Sequence, residues 1–108
     1  MRQLDNKVAV ITGAAGGIGA ATARLLAERG AHLTLADLDA DAADALARQI
    51  DPTGHTAIGL YVNLADEAAI ETMIRSALKK FGKVDVLHNN AADLSPANAG
   101  WPSGSRQS

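Results

Sequence analysis

The chain has 108 residues, 47% of them apolar, three aromatics, no cysteine and a net charge of −2. That length suits one small domain or part of one, with a core thinned by 23 alanines, which hide little surface per residue. Without cysteine there are no disulfides, thiolate zinc sites or thiol catalysis, and ten basic against twelve acidic residues without a basic cluster argue against a nucleic-acid partner.

The first element is a short apolar strand, Val8 to Thr12, far below the ~20 residues that cross a bilayer. Residues 1–7 lead into it without a cleavage-type segment, so no membrane partner is expected and the cytoplasm is the expected location. A glycine-rich turn, Thr12 to Gly19, opens a helix on which Ile18, Thr22, Leu25, Leu26 and Arg29 recur at helical spacing. A second strand, His32 to Asp37, is followed by helical spacing at Ala43, Leu46 and Ile50, and a third strand spans Thr56 to Asn63. The third helix carries Ile70, Met73, Ile74, Ala77, Leu78 and Phe81 on one stripe, with Glu67, Glu71, Arg75, Lys79 and Lys80 around it. Gly30, Gly54 and Gly82 stand near the three helix ends, where a left-handed residue closes the last turn. The fourth strand is Val84 to Asn89. From Ser95 to Ser108 serine, proline and glycine replace any apolar period, and Trp101 has no large apolar neighbour, so this part reads as a loose tail after a domain of residues 1–94.

Four short, apolar strands alternating with three helices predict an α/β fold. Right-handed crossovers then give a Rossmann-type parallel sheet of order 3-2-1-4 with helices on both faces.

The chemistry concentrates at the ends of the first two strands. Glycines between a strand and a helix let the backbone approach a pyrophosphate, and the N–H groups opening the helix stabilise its charge. Gly13, Gly16, Gly17, Ile18 and Gly19 are therefore candidate dinucleotide-binding residues; the plain alternative is a turn whose glycines serve packing. Asp37 ends the second strand, where a carboxylate accepts hydrogen bonds from ribose hydroxyls and repels a 2′-phosphate. Neither Ala14, Ala15 nor its neighbour Leu38 supplies a cation there, which favours NAD over NADP. Asp37 could instead be a turn acid or helix cap, a task open also to Asp39 or Asp41. His32, His55 and His88 lie on separate elements without ligand spacing, so no metal site is expected.

These residues resemble the amino-terminal part of a short-chain dehydrogenase/reductase. Thr12 to Gly19 fits the TGxxxGIG turn, Asp37 the NAD-selecting acid, Asn63-Leu64 the position of an Asp-Val pair, and Asn89-Asn90-Ala91-Ala92 the NNAG segment. The resemblance runs from Leu4 to Leu94. It implies that the Ile18 N–H meets the pyrophosphate, that Asn63 and Leu64 hold the adenine beside Leu38, and that Asn90 and Ala91 line the adenosine. Three positions depart from the pattern: Asn63 for Asp, Ala92 for Gly, and Ala65 where Ser or Thr caps the third helix. The last costs about 1 kcal/mol unless Asp66 takes over. The family's catalytic Asn, Ser, Tyr and Lys lie beyond the NNAG segment, and Tyr61, the only tyrosine here, is followed four positions on by Ala65. The expected function is the NAD-binding portion of an oxidoreductase that moves hydride between NAD(H) and an alcohol or ketone, truncated after the fourth strand and inactive alone. A non-catalytic NAD-binding module and a fragment that associates through its fourth-strand edge are the alternatives; the oligomeric state stays open.

Overall fold

A computed structural model describes residues 3–89. The element order is β1 (Val8–Thr12), α1 (Gly17–Glu28), β2 (His32–Asp37), α2 (Ala40–Ile50), β3 (Ala57–Tyr61), α3 (Ala69–Phe81) and β4 (Val86–Asn89). The strands form one parallel sheet of order β3-β2-β1-β4, as the alternation of strands and helices predicts. The expected tail Ser95–Ser108 with Trp101, and Asn90 and Ala91, lie outside the described residues.

Strand alternation sorts the core into two layers. Ala9, Ile11, Leu33, Leu35 and Ala57 face α1 and α2, where Ala23, Leu46 and Ala47 meet them. Val8, Val10 and Ala36 face the other way, against Ala69, Met73 and Ala77 of α3. Every residue of β1 is buried, because it is covered on both faces and paired on both edges. The helices approach through small residues: Gly59 of β3 has no Cβ because one would stand 2.6 Å from the backbone of Ala43 and Asp44 in α2. Thr34 also faces α3, and its Oγ1 is the buried side-chain oxygen without a hydrogen-bond partner among the described residues.

The periodicity locates the helices but not always their inward faces. In α1 the fully buried residues are Gly19 and Ala23, while Ile18 and Leu25 of the expected stripe are exposed. Small side chains let this helix lie close to the sheet, which turns the larger ones outward. In α3, Met73 and Ala77 are buried but Ile70 and Leu78 remain exposed, so the stripe is wider than the surface it covers. The expected third and fourth strands are trimmed to Ala57–Tyr61 and Val86–Asn89. Nor is β4 buried on both faces: Val86 and Leu87 are 44% and 45% exposed, because among the described residues the strand has a neighbour only in β1. Gly82 closes α3 at φ 87° as expected, and Gly30 is left-handed just beyond α1. Gly54, also left-handed, belongs to the turn after Asp51, whose extended backbone ends α2.

Asp66 does not replace the missing cap: the N-cap of α3 is Ala68, which has no capping side-chain bond. The helix begins at Ala69, later than a cap at position 65 would set it, and Asp66 Oδ1 accepts the Ala68 N–H at 2.9 Å. No helix among the described residues is long and apolar enough to cross a membrane.

Candidate dinucleotide site

The candidate residues gather at the carboxyl ends of the strands. After Thr12 the chain turns at Gly13, whose φ of 65° is a conformation that glycine adopts without strain. The Ala14 N–H donates to Ala36 O at 3.2 Å, fastening the turn to β2, and Gly16 N–H donates back to Gly13 O at 3.2 Å. Helix α1 then starts at Gly17 with Gly16 as its N-cap, no capping side chain and no acidic residue in its first turn. Its first intrahelical bond runs from Ala20 N–H to Gly16 O, so the N–H groups of Gly17, Ile18 and Gly19 precede the helical ladder. They form a small field of positive potential at the helix start, where an anion is stabilised.

The two readings of the glycines differ at Gly17. A packing glycine has atoms where its Cβ would lie, as Gly59 does; at Gly17 nothing lies within 4 Å of that point, and at Gly16 the nearest atom is Gly13 O at 3.5 Å. The space beside the helix start is open, which suits a bound group. Gly19, by contrast, is buried.

Asp37 is tied to this turn. Its Oδ2 accepts the Ala15 N–H at 3.0 Å, and Oδ1 accepts the Asp39 N–H at 2.9 Å. The cap of α2 is Asp39, which accepts the Ala42 N–H at 3.0 Å, so Asp37 is not needed for capping. Each oxygen keeps a lone pair for a further donor. Leu38 follows, 66% exposed, and Ile18 is 73% exposed beside the turn.

The third segment is joined less directly. Val62 N–H donates to Asp37 O at 3.0 Å and sets Asn63 beside the end of β2. Asn63 is exposed, and its Oδ1 accepts the Ala65 N–H at 3.0 Å. Leu64 packs partly into the layer under α3, so a ligand would meet its backbone more than its side chain. The structure thus brings Gly13–Gly19, Asp37 and Leu38 together and sets Asn63 and Leu64 alongside them.

Two ties were not singled out from the sequence. Thr12 Oγ1 donates to Asn89 Oδ1 at 2.6 Å, joining β1 and β4 where the strands end. The signal was a polar residue closing an otherwise apolar, buried strand. The other is the Ala15 N–H on Asp37, a backbone donor that no residue type announces. His32 stacks at a tilt on Phe81 with centroids 5.2 Å apart, and no group of acids and histidines among the described residues could hold a metal ion.

The short chain dehydrogenase family model matches residues 7–100. The chain is 47% identical over 90 residues to cis-4-hydroxycyclohexanecarboxylate dehydrogenase of Sinomonas cyclohexanicum, covering 83% of this chain and 36% of that protein. It is 42% identical over 89 residues to meso-2,3-butanediol dehydrogenase of Serratia marcescens, covering 82% and 35%. Among solved structures, a 3-ketoacyl-(acyl-carrier-protein) reductase from Brucella melitensis complexed with NADH superposes with a TM-score of 0.72 at 38% identity, over 79% of this chain and 34% of that one. A short-chain dehydrogenase/reductase from the same organism gives 0.74 at 33% identity, over 79% and 35%. The chain therefore spans about a third of the length of these relatives. Over that span, the glycine turn, the sheet order and the similarity agree: the chain belongs to the short chain dehydrogenase family.

Proposed function

We infer that this chain is the NAD-binding portion of an oxidoreductase that transfers hydride between NAD(H) and an alcohol or ketone. The observation that carries the cofactor reading is the open space beside Gly17, next to the N–H groups of Gly17, Ile18 and Gly19 and to the carboxylate of Asp37. In this reading the helix start takes the pyrophosphate and Asp37 accepts from the ribose hydroxyls. Leu38, Asn63 and Leu64 then border the adenine, with Asn90 and Ala91 assigned beside them by the family resemblance. A second phosphate on the ribose would meet the Asp37 charge, with no Lys or Arg at positions 14, 15 or 38 to offset it.

Bound nicotinamide supplies the hydride acceptor or donor; the protein must also move the hydroxyl proton of the alcohol. General acid–base help of that kind is worth about 10² to 10⁴ in rate. The 108 residues contain one tyrosine and no Tyr-xxx-Lys pair, and Tyr61 lies on β3, an edge strand among the described residues. His88 pairs with Ile11 and so leaves the sheet on the α1 face. The chain alone is therefore expected to bind NAD without turning over an alcohol.

Calorimetric titration with NADH and NADPH tests the cofactor assignment. Tighter NADH binding is expected, and equal or tighter NADPH binding would overturn it. An alcohol panel with NAD should produce no NADH absorbance above the protein-free control.

A second reading has one observation in its favour: the edge of β4, unpaired among the described residues and with Val86 and Leu87 exposed, can accept another strand. Sedimentation across a concentration series distinguishes the two. A monomer that binds NADH supports the first, and folding only as an oligomer supports the second.

A further inference from the structure

We propose that Tyr61 is a positioning residue for Asp37, holding its carboxylate at the glycine turn and so sharpening discrimination against a 2′-phosphorylated dinucleotide. This rests on the assignment of Asp37 to the ribose.

The register sets the two residues side by side. Asp37 and Tyr61 are Cα partners in the parallel β2–β3 pair, and pairing persists beyond them through the Val62 N–H on Asp37 O at 3.0 Å. Neighbouring strands lie about 4.8 Å apart, and partners in register leave the sheet on the same face. That face is fixed independently. Leu33, Leu35 and Ala57 belong to the layer under α1 and α2, and alternation carries it to Asp37 on β2 and to Gly59 and Tyr61 on β3. Gly59 touches the backbone of α2 at Ala43, so Tyr61, two residues on, emerges where α2 begins and Asp39 caps it.

Three sides of Asp37 are defined. Toward β1 stands Ala15, whose N–H holds Oδ2; behind lies the buried Leu35; toward the start of α2 is Asp39, a like charge. On the fourth side, toward β3, the register places Tyr61, a residue 55% exposed and so not committed to the core. A bulky anion on the ribose can be admitted only if the Asp37 carboxylate leaves the Ala15 N–H and swings away. Swinging toward Asp39 costs repulsion, and swinging toward β3 meets the ring. A small residue at position 61 would open that side. The ring, and not the phenolic hydroxyl, does the blocking, which separates this role from an ordinary hydrogen bond to the cofactor.

The test is the ratio of NADPH to NADH dissociation constants for the wild-type chain, Tyr61→Phe and Tyr61→Ala, with circular dichroism on each. Expected are a clear NADH preference in the wild type, the same preference in Tyr61→Phe, and a preference lowered on the order of tenfold in Tyr61→Ala, mainly through tighter NADPH binding. A merely structural role would weaken both nucleotides together and leave the ratio unchanged, and that result overturns the proposal. Loss of the preference in Tyr61→Phe also overturns it, since the hydroxyl would then be the discriminating group. A wild type that binds neither nucleotide overturns the cofactor reading itself, and this inference with it. Should Tyr61→Ala not fold, Tyr61→Thr, β-branched and suited to an edge strand, is read by the same criteria.

Discussion

The two ends of the sheet differ in how they treat backbone N–H groups at one place, the start of α1. At the amino end carboxylates consume them. Asp85 Oδ2 accepts the Val8 N–H at 2.9 Å while its own N–H donates to Val8 O, clamping β4 to β1. Asp51 accepts from the N–H and hydroxyl groups of both Thr53 and Thr56, sealing the connection between α2 and β3. At the carboxyl end Asp37 takes the Ala15 and Asp39 N–H groups, Asp39 that of Ala42 and Asp66 that of Ala68, while those of Gly17, Ile18 and Gly19 stand ahead of the α1 ladder with open space beside Gly17. One kind of contact, a carboxylate on a backbone donor, closes one end; its absence at the start of α1 leaves the other able to receive an anion.

The strongest way to break this contrast is to fill the open space. Gly17→Val should reduce NADH binding below detection while circular dichroism and the melting curve stay close to wild type, because the added side chain meets no protein atom within 4 Å at its Cβ. Joint loss of fold and binding would return Gly17 to a packing role. The converse glycine is Gly59. Gly59→Ala forces α2 off β3 and should cost about 1–3 kcal/mol in denaturant unfolding, as overpacking does. An unchanged midpoint would mean that α2 is free to shift. Of similar size, but in binding, Asp37→Ala should weaken NADH by about 1–3 kcal/mol through lost charge-assisted bonds.

The amino-end carboxylates give a pH test. Hydrogen bonds from Thr53 and Thr56 hold the Asp51 carboxyl well below the usual carboxylate range, and the Val8 N–H lowers Asp85. Folded values below the unfolded ones mean that their contribution is fully present above about pH 4 and is lost as pH falls through the folded values. Asp51→Asn and Asp85→Asn should each lower stability at pH 7 and flatten its decline in acid, leaving NADH affinity at pH 7 unchanged; an undiminished acid slope in both would contradict the clamp. The smallest effect belongs to Thr34→Val, which removes a buried hydroxyl without a partner among the described residues and should be neutral or stabilising within about 1 kcal/mol. A clear loss of stability would show that the hydroxyl is satisfied.

What was legible in the sequence follows the same division. The glycine turn, Asp37 and the sheet order could be read because each depends on residue type at a fixed place between a strand and a helix. The inward face of α1 could not: Ile18 and Leu25 carry the larger apolar side chains, yet the small Gly19 and Ala23 are the residues buried. The length of β4 was overstated because Val84 is apolar, while Asp85 before Val86 makes the clamp that starts the strand. The hold of Ala15 on Asp37 was invisible, since an N–H belongs to every residue but proline.

The most direct test of the open and closed ends is an amide-resolved NMR titration of the chain with NADH. The account predicts chemical-shift changes at Gly13–Gly19, Asp37–Leu38 and Asn63–Leu64, with Asp51–Thr56 and Lys83–Asp85 unmoved. Changes centred on the amino-end segments, or none at the glycine turn under saturating NADH, would contradict it.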